Sequence, residues 1–196
     1  REAKRRGLPV TCEVTPHHLM LTEDACATYD THTQMYPPLR TQVDVDALAA
    51  GLADGTIDAI ATDHAPHSKN SKQVEFDCAA FGIIGLETAL PIALSLVARG
   101  VLSMQSAIER LTWGPARTFK LHAGTMPEGS MADVVVIDPE LEWTVAAEDI
   151  QSKSKNTPFL GKRMRGRAVL TLAAGDILCD RCDLARSITP SPRGVA

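Results

Sequence analysis

Through the first 123 residues, short β-branched runs alternate with stretches of helical spacing. "REAKRRG" reads as a helix end, its basic last turn complementing the helix dipole and Gly7 supplying the stop. "LPVTCEVTP" follows as a strand closed by Pro16. In "DVDALAAGLADG" the apolar residues Val45, Leu48, Ala49 and Leu52 recur at helical intervals, with Asp44 predicted as N-cap and Gly55 as stop. "TIDAIATD" predicts a short buried strand over 57–62, ending at Asp63. "GLETALPIALSLVARG" predicts a helix that holds Pro91 inside it or in its first turn, and "SMQSAIERLTWGPARTFKL" two shorter helices broken at Gly114–Pro115. Strand, helix, strand, helix in this order predicts an α/β protein with parallel strands.

Near residue 124 the pattern changes. "GTMPEGSMADVVVIDPELEWTV" is a glycine turn followed by valines with no helix behind them, and "RMRGRAVLTLAAGDIL" adds a strand and a turn. The chain therefore divides into an α/β part at 1–123, a small β region at 124–180, and a Pro/Ser-rich tail at 181–196 expected to be disordered. The alternating charges of "KRMRGR" are read as the solvated face of an edge strand. No internal repeat is present.

Composition narrows the function classes. The net charge of −4 argues against a nucleic-acid binder. The most apolar stretch is interrupted by Glu87, Pro91 and Arg99, so no membrane span is expected. The first residues carry no apolar core of a signal peptide, and the five scattered cysteines suit a reducing compartment, so the expected location is the cytoplasm. The lone CxxC of "LCDRC" lacks the second pair or the histidines of a structural zinc site.

The candidate chemistry lies in "ATDHAPH", residues 61–67, at the end of the second strand. In parallel α/β folds, catalytic groups gather at the carboxyl ends of strands. Pro66 keeps Ala65 out of the helical region, so 63–67 is a loop that can turn His67 back toward the same mouth. Asp63 is a candidate zinc ligand and proton shuttle; the plainer alternative is that it caps a turn. A second pair, His17–His18, follows the first strand, and since adjacent side chains diverge, at most one of the two can face a shared site. Three protein ligands are usual in a catalytic zinc site, and these local residues do not reach that number.

Five blocks in order, "VTCEVTPHHLMLTEDA", "YPPLR", "DGTIDAIATDHAPHS", "FGIIGLETALP" and "SKSKNTPFLGKRMRG", resemble the C-terminal half of bacterial long-chain dihydroorotases, members of the amidohydrolase superfamily. The resemblance runs from residue 1 to about 180. It implies an α/β fold: the C-terminal part of a (β/α)₈ TIM barrel of the metal-dependent hydrolase type (1–123), with part of a small β-sandwich (124–180). The two strands would be barrel strands seven and eight.

The implied reaction is the zinc-dependent, reversible hydrolysis of dihydroorotate to N-carbamoyl-L-aspartate in pyrimidine synthesis. Asp63 would be zinc ligand and catalytic acid/base, His67 would bind the substrate carboxylate, and the backbone at Phe81–Gly82 would close over the ring. Tyr36 stands where the family has a substrate-contacting asparagine, and a phenol cannot replace a carboxamide that both donates and accepts. One or two zinc ions are implied, with the remaining ligands on sequence preceding residue 1. A barrel of this class takes about 250 residues, so the chain is expected to be a part of a longer protein, inactive by itself. Implied partners are the small-molecule substrate, further copies of the chain, or an aspartate transcarbamoylase. The alternatives are a non-catalytic subunit or truncated chain, and a related cyclic amidohydrolase of the hydantoinase or allantoinase type.

Overall fold

A computed structural model describes residues 1–181. The helices are α1 (Glu2–Arg5), α2 (Gln42–Ala53), α3 (Lys69–Lys72), α4 (Leu86–Ala98), α5 (Met104–Leu111) and α6 (Trp113–Phe119), and the strands are β1 (Glu13–Val14), β2 (Ala59–Ile60), β3 (Val134–Thr144), β4 (Arg163–Ala173) and β5 (Asp176–Asp180). β1 and β2 are parallel neighbours, Glu13 opposite Ala59 and Val14 opposite Ile60. The second sheet is antiparallel in the order β3-β4-β5. The parallel pair and the helices that follow each strand agree with the α/β reading of the first 123 residues. Neither a closed barrel nor a second sheet facing β3-β4-β5 is present among the described residues. The expected disordered tail lies, from residue 182 on, outside them.

The local differences from expectation have local causes. Helix α2 starts three residues early, with Thr41 as N-cap in place of Asp44. Asp44 sits at the third helical position, where its carboxylate accepts from the Thr41 amide at 3.2 Å and the Thr41 hydroxyl at 2.8 Å, and where negative charge complements the dipole. Pro91 falls inside α4. The cost of about 3 kcal/mol for an interior proline is outweighed because Ile92, Leu94 and Leu96 are all buried, at about 1.5–3 kcal/mol each.

The break between α5 and α6 falls at Thr112 (φ −126°, ψ −81°), not at Gly114–Pro115. Pro115 lies in the first turn of α6, where its missing N–H costs nothing. Gly114 is there for space: a Cβ would stand 2.3 Å from the Asp58 carbonyl oxygen.

The "KRMRGR" reading is corrected by the topology, because β4 is the central strand, with β3 and β5 on its two sides. The arginines are partnered there: Arg163 with Glu142, Arg165 with Glu140, and Arg167 with Asp149. Arg167 also lies over the Trp143 ring, 4.3 Å from its centroid. Pro139, which cannot donate to a ladder, falls in the register shift of β3 between Asp138 and Glu142.

One buried ion pair ties the amino-terminal segment to β2. Asp58 accepts from Lys4 Nζ at 2.7 Å and from the Cys12 amide at 2.9 Å. Burial raises the carboxyl's pKa, but the bonds from Lys4 and Cys12 and the charges of Lys4 and Arg117 more than offset this, leaving it below its ordinary value. The unfolded chain therefore takes up the proton first as pH falls. The contribution of Asp58 to stability is complete above about pH 4 and is lost as pH drops through the depressed value. Lys4→Met is expected to lower the stability of the full-length protein by about 1–3 kcal/mol at neutral pH. It should also flatten the acid limb of the unfolding midpoint plotted against pH; an unchanged acid limb would mean that the pair carries none of it.

Candidate active site

The carboxyl ends of β1 and β2 set the site. The backbone bonds Asp58 N–H to Cys12 O (2.9 Å) and Ala61 N–H to Val14 O (3.0 Å) extend the parallel pairing on both sides. His17 and Asp63 each follow three residues beyond the paired residues Val14 and Ile60, so the two emerge from the same end of neighbouring strands. Asp63 has φ +47°, a conformation non-glycine residues seldom adopt, and residues held there cluster at functional sites. Its side chain is exposed and makes no hydrogen bond or ion pair among the described residues, so the turn-capping role does not apply.

The structure distinguishes the two histidines after Pro16. His18 Nε2 donates to the Pro37 carbonyl at 3.0 Å, and Nδ1 accepts from the Thr15 hydroxyl at 2.6 Å, so this ring is committed to holding the 36–37 turn. His17 is buried. Its pKa is lowered to about 3, first by burial and then by the neighbouring His18, so the imidazole is neutral at any physiological pH. His64 Nδ1 accepts from the Gly85 amide at 3.1 Å, at the N-cap of α4.

Four of the five expected site residues come together around the segment at 81–84. Tyr36 and Phe81, both exposed, have ring centroids 5.8 Å apart. His67 Nε2 lies 2.7 Å from the Phe81 carbonyl oxygen; since a carbonyl only accepts, Nε2 carries a proton and Nδ1 is left for other partners. The Gly82 amide donates to the Gln34 carbonyl at 3.0 Å. Gly82 has φ +98°, and a Cβ there would stand 2.8 Å from the Ala65 Cβ; both the conformation and the contact require glycine. Asp63 shares the 61–67 loop with His67 but makes no hydrogen bond to the other four.

Asn156 is the residue that sequence reasoning missed. It is buried at 3% exposure, and its Nδ2 donates to the Ala65 carbonyl at 2.9 Å and the Gly82 carbonyl at 3.2 Å. Its Oδ1 accepts from the His67 amide at 3.2 Å and from the Ser154 hydroxyl, and its own carbonyl accepts from Ile84 N–H at 3.1 Å. Two carbonyls on one side and an N–H on the other fix the carboxamide's orientation. The only hint in the sequence was an asparagine before Thr-Pro in "SKSKNTPF". Gln34, next to this network, is also buried, and its Oε1 has no hydrogen-bond partner among the described residues. Arg40 makes an exposed ion pair with Asp44 at 3.7 Å.

An aspartate and a histidine thus follow the same ends of adjacent parallel strands, and a distant segment pins the loop between 65 and 67. The chain belongs to the amidohydrolase family, whose model matches residues 4–173. It is 57% identical over 180 residues to a dihydroorotase of Anaeromyxobacter dehalogenans (strain 2CP-C), covering 91% of this chain and 42% of that protein. It is 52% identical over 178 residues to a dihydroorotase of Geobacter sp. (strain M21), with the same coverage. The chain thus spans about 42% of the length of the curated relatives it matches.

Among solved structures it superposes on the L-hydantoinase (dihydropyrimidinase) from Arthrobacter aurescens with a TM-score of 0.86 at 31% identity, covering 92% of this chain and 41% of that one. The inactive dihydroorotase-like domain of a Chaetomium thermophilum CAD-like multifunctional protein matches with a TM-score of 0.66 at 25% identity, covering 92% and 47%. The resemblance to bacterial dihydroorotases holds, and the mixed helix and sheet arrangement is that of the amidohydrolase family.

Proposed function

We propose that the full-length protein is a metal-dependent dihydroorotase, opening and closing the cyclic amide of dihydroorotate in the cytoplasm. The observation that carries this is the identity of 52–57% to proteins named dihydroorotase over more than nine-tenths of the chain, against 31% for the hydantoinase. Residues 1–123 are then part of a (β/α)₈ barrel and 124–180 part of a β-sandwich. Among the described residues, no helix is long and apolar enough to cross a membrane. Copies of the same chain or an aspartate transcarbamoylase are the protein partners this reading suggests.

The donors at the strand ends suit zinc in kind: Asp63 offers a carboxylate unpaired among the described residues, and His17 a neutral imidazole beyond the same end of the neighbouring strand. In number they fall short, since among the described residues no group of three or more His, Cys, Asp or Glu side chains could hold an ion. Asp63 and His17 would supply part of the coordination, and sequence outside these residues the rest, for one or two ions. Bound zinc supplies Lewis acidity, bringing the pKa of water from about 15.7 to about 7.

The remaining roles fall to this chain. Asp63, free of other bonds, accepts a proton from the attacking water and returns it to the leaving ring nitrogen. His67, with Nε2–H held by the Phe81 carbonyl, offers Nδ1–H to the substrate carboxylate when the ring carries both protons. The backbone at Phe81–Gly82 lies over the substrate ring, and Tyr36 extends this lip.

A second reading, a non-catalytic dihydroorotase-like subunit, is favoured by Tyr36 in the asparagine position and by the likeness to an inactive domain. The two separate on one measurement. The full-length protein with zinc and dihydroorotate is expected to form N-carbamoyl-L-aspartate; no product with bound zinc present would leave the non-catalytic reading standing.

A further inference from the structure

The cleft on which His67 borders has a charge that the chain as a whole does not. Its volume is about 590 Å³, within the range of small-molecule sites. Lys69, Lys72, Lys153, Lys155, His32 and His67 line it, and no aspartate or glutamate does, although the chain carries a net charge of −4. The lysines come from two segments far apart in sequence: α3 supplies one pair, and the connection between β3 and β4 supplies the other.

Lys72 is the telling member. It is buried at 3% exposure, its Nζ donates to the Thr31 carbonyl at 2.9 Å, and its own carbonyl accepts from the Thr31 hydroxyl at 2.6 Å. No carboxylate pairs with it among the described residues. The nearest influence of that kind, Asp30, already binds the His32 ring at 2.9 Å and the His32 amide at 3.0 Å. A buried ammonium without a paired carboxylate is costly, and burial, only partly offset by the charge of Asp30, holds the Lys72 pKa below its usual value. Lys155 is fixed by the Ile150 and Ser152 carbonyls at 2.6 and 2.8 Å, while Lys69 and Lys153 at the rim make no hydrogen bond or ion pair among the described residues. Two anchored ammonium groups and two that make no bond among the described residues, with no aspartate or glutamate in the cleft lining, form a cradle for concentrated negative charge.

We propose that this cleft binds a small phosphorylated anion of the pyrophosphate class, free or carried on a nucleoside. The inference goes beyond the hydrolase reading and does not depend on it. The test is calorimetric titration of the full-length protein with inorganic pyrophosphate and, separately, with ADP. Saturable binding at one site per chain is expected, with Kd below about 1 mM. Binding should be at least about tenfold weaker in the Lys69→Glu/Lys153→Glu double variant, whose side chains hold no structural bond. Lys72→Met should weaken it likewise, with circular dichroism confirming the fold. Tighter binding of ADP would identify the nucleotide as the ligand, and equal affinity the free anion; either supports the site. Absence of saturation, affinity unchanged by charge reversal, or displacement by dihydroorotate would overturn it, the last by placing the anion in the substrate site.

Discussion

Asp63→Ala is expected to lower the turnover of dihydroorotate by the full-length protein by about a thousandfold or more, the usual scale for removing a group that acts directly in the chemistry. Two properties make this position unusually exposed to substitution. Its carboxylate holds no other bond, so its loss removes nothing from the fold. Its backbone is also held at φ +47°, a conformation that alanine tolerates less well than aspartate or asparagine. Asp63→Asn separates the two contributions, because it keeps the shape and the backbone preference while removing the charge and the proton-accepting oxygen. It should therefore fold with wild-type stability, be as inactive as the alanine variant, and bind less zinc by metal analysis. An Asp63→Asn enzyme with wild-type kcat would remove Asp63 from the mechanism.

Asn156→Ala is expected to be the most damaging change outside the strand ends. It strips buried partners from the carbonyls of Ala65 and Gly82 and from the amide of His67 at once. Each buried group left unpaired costs about 1–3 kcal/mol; with some relaxation, a total loss of about 3–5 kcal/mol is expected by chemical denaturation. Because these groups hold the loops that carry His67 and Gly82, KM for dihydroorotate should rise about tenfold or more at temperatures where the variant is folded. Asn156→Asp retains the acceptor for His67 N–H but no longer donates to two carbonyls, so it should not rescue. A variant within about 0.5 kcal/mol of wild type and with unchanged KM would show that the network is redundant.

How far the sequence spoke for itself depended on the range over which each signal acts. Helical spacing located α2, α4 and α5, because Val45, Ala49 and Leu52 or Ile92 and Leu96 fall on buried faces by local geometry alone. Pro66 and the apolar run before Asp63 placed the candidate loop for the same reason. The break at Thr112 was not legible, since Gly114 answers to the Asp58 carbonyl of another element rather than to its neighbours. The central position of β4 was equally hidden: alternation of charge along "KRMRGR" looks the same whether water or a strand bearing glutamates lies opposite. Asn156 bridges residues 74 to 91 positions away, and no periodicity reports such a contact. Of His17 and His18, adjacency says only that they diverge; burial of one and the Pro37 bond of the other decide which faces inward.

The two tryptophans of the chain fall on opposite sides of the pattern change near residue 124. Trp113, at the start of α6, is 39% exposed, whereas Trp143 in β3 donates its indole N–H to the Gly166 carbonyl at 3.1 Å and lies beneath the Arg167 guanidinium. A guanidinium stacked on an indole alters its emission, so each ring carries its own optical signature. Single-tryptophan versions of the protein thus come with a built-in reporter for the helical portion and another for the antiparallel sheet, and can be followed without any attached dye.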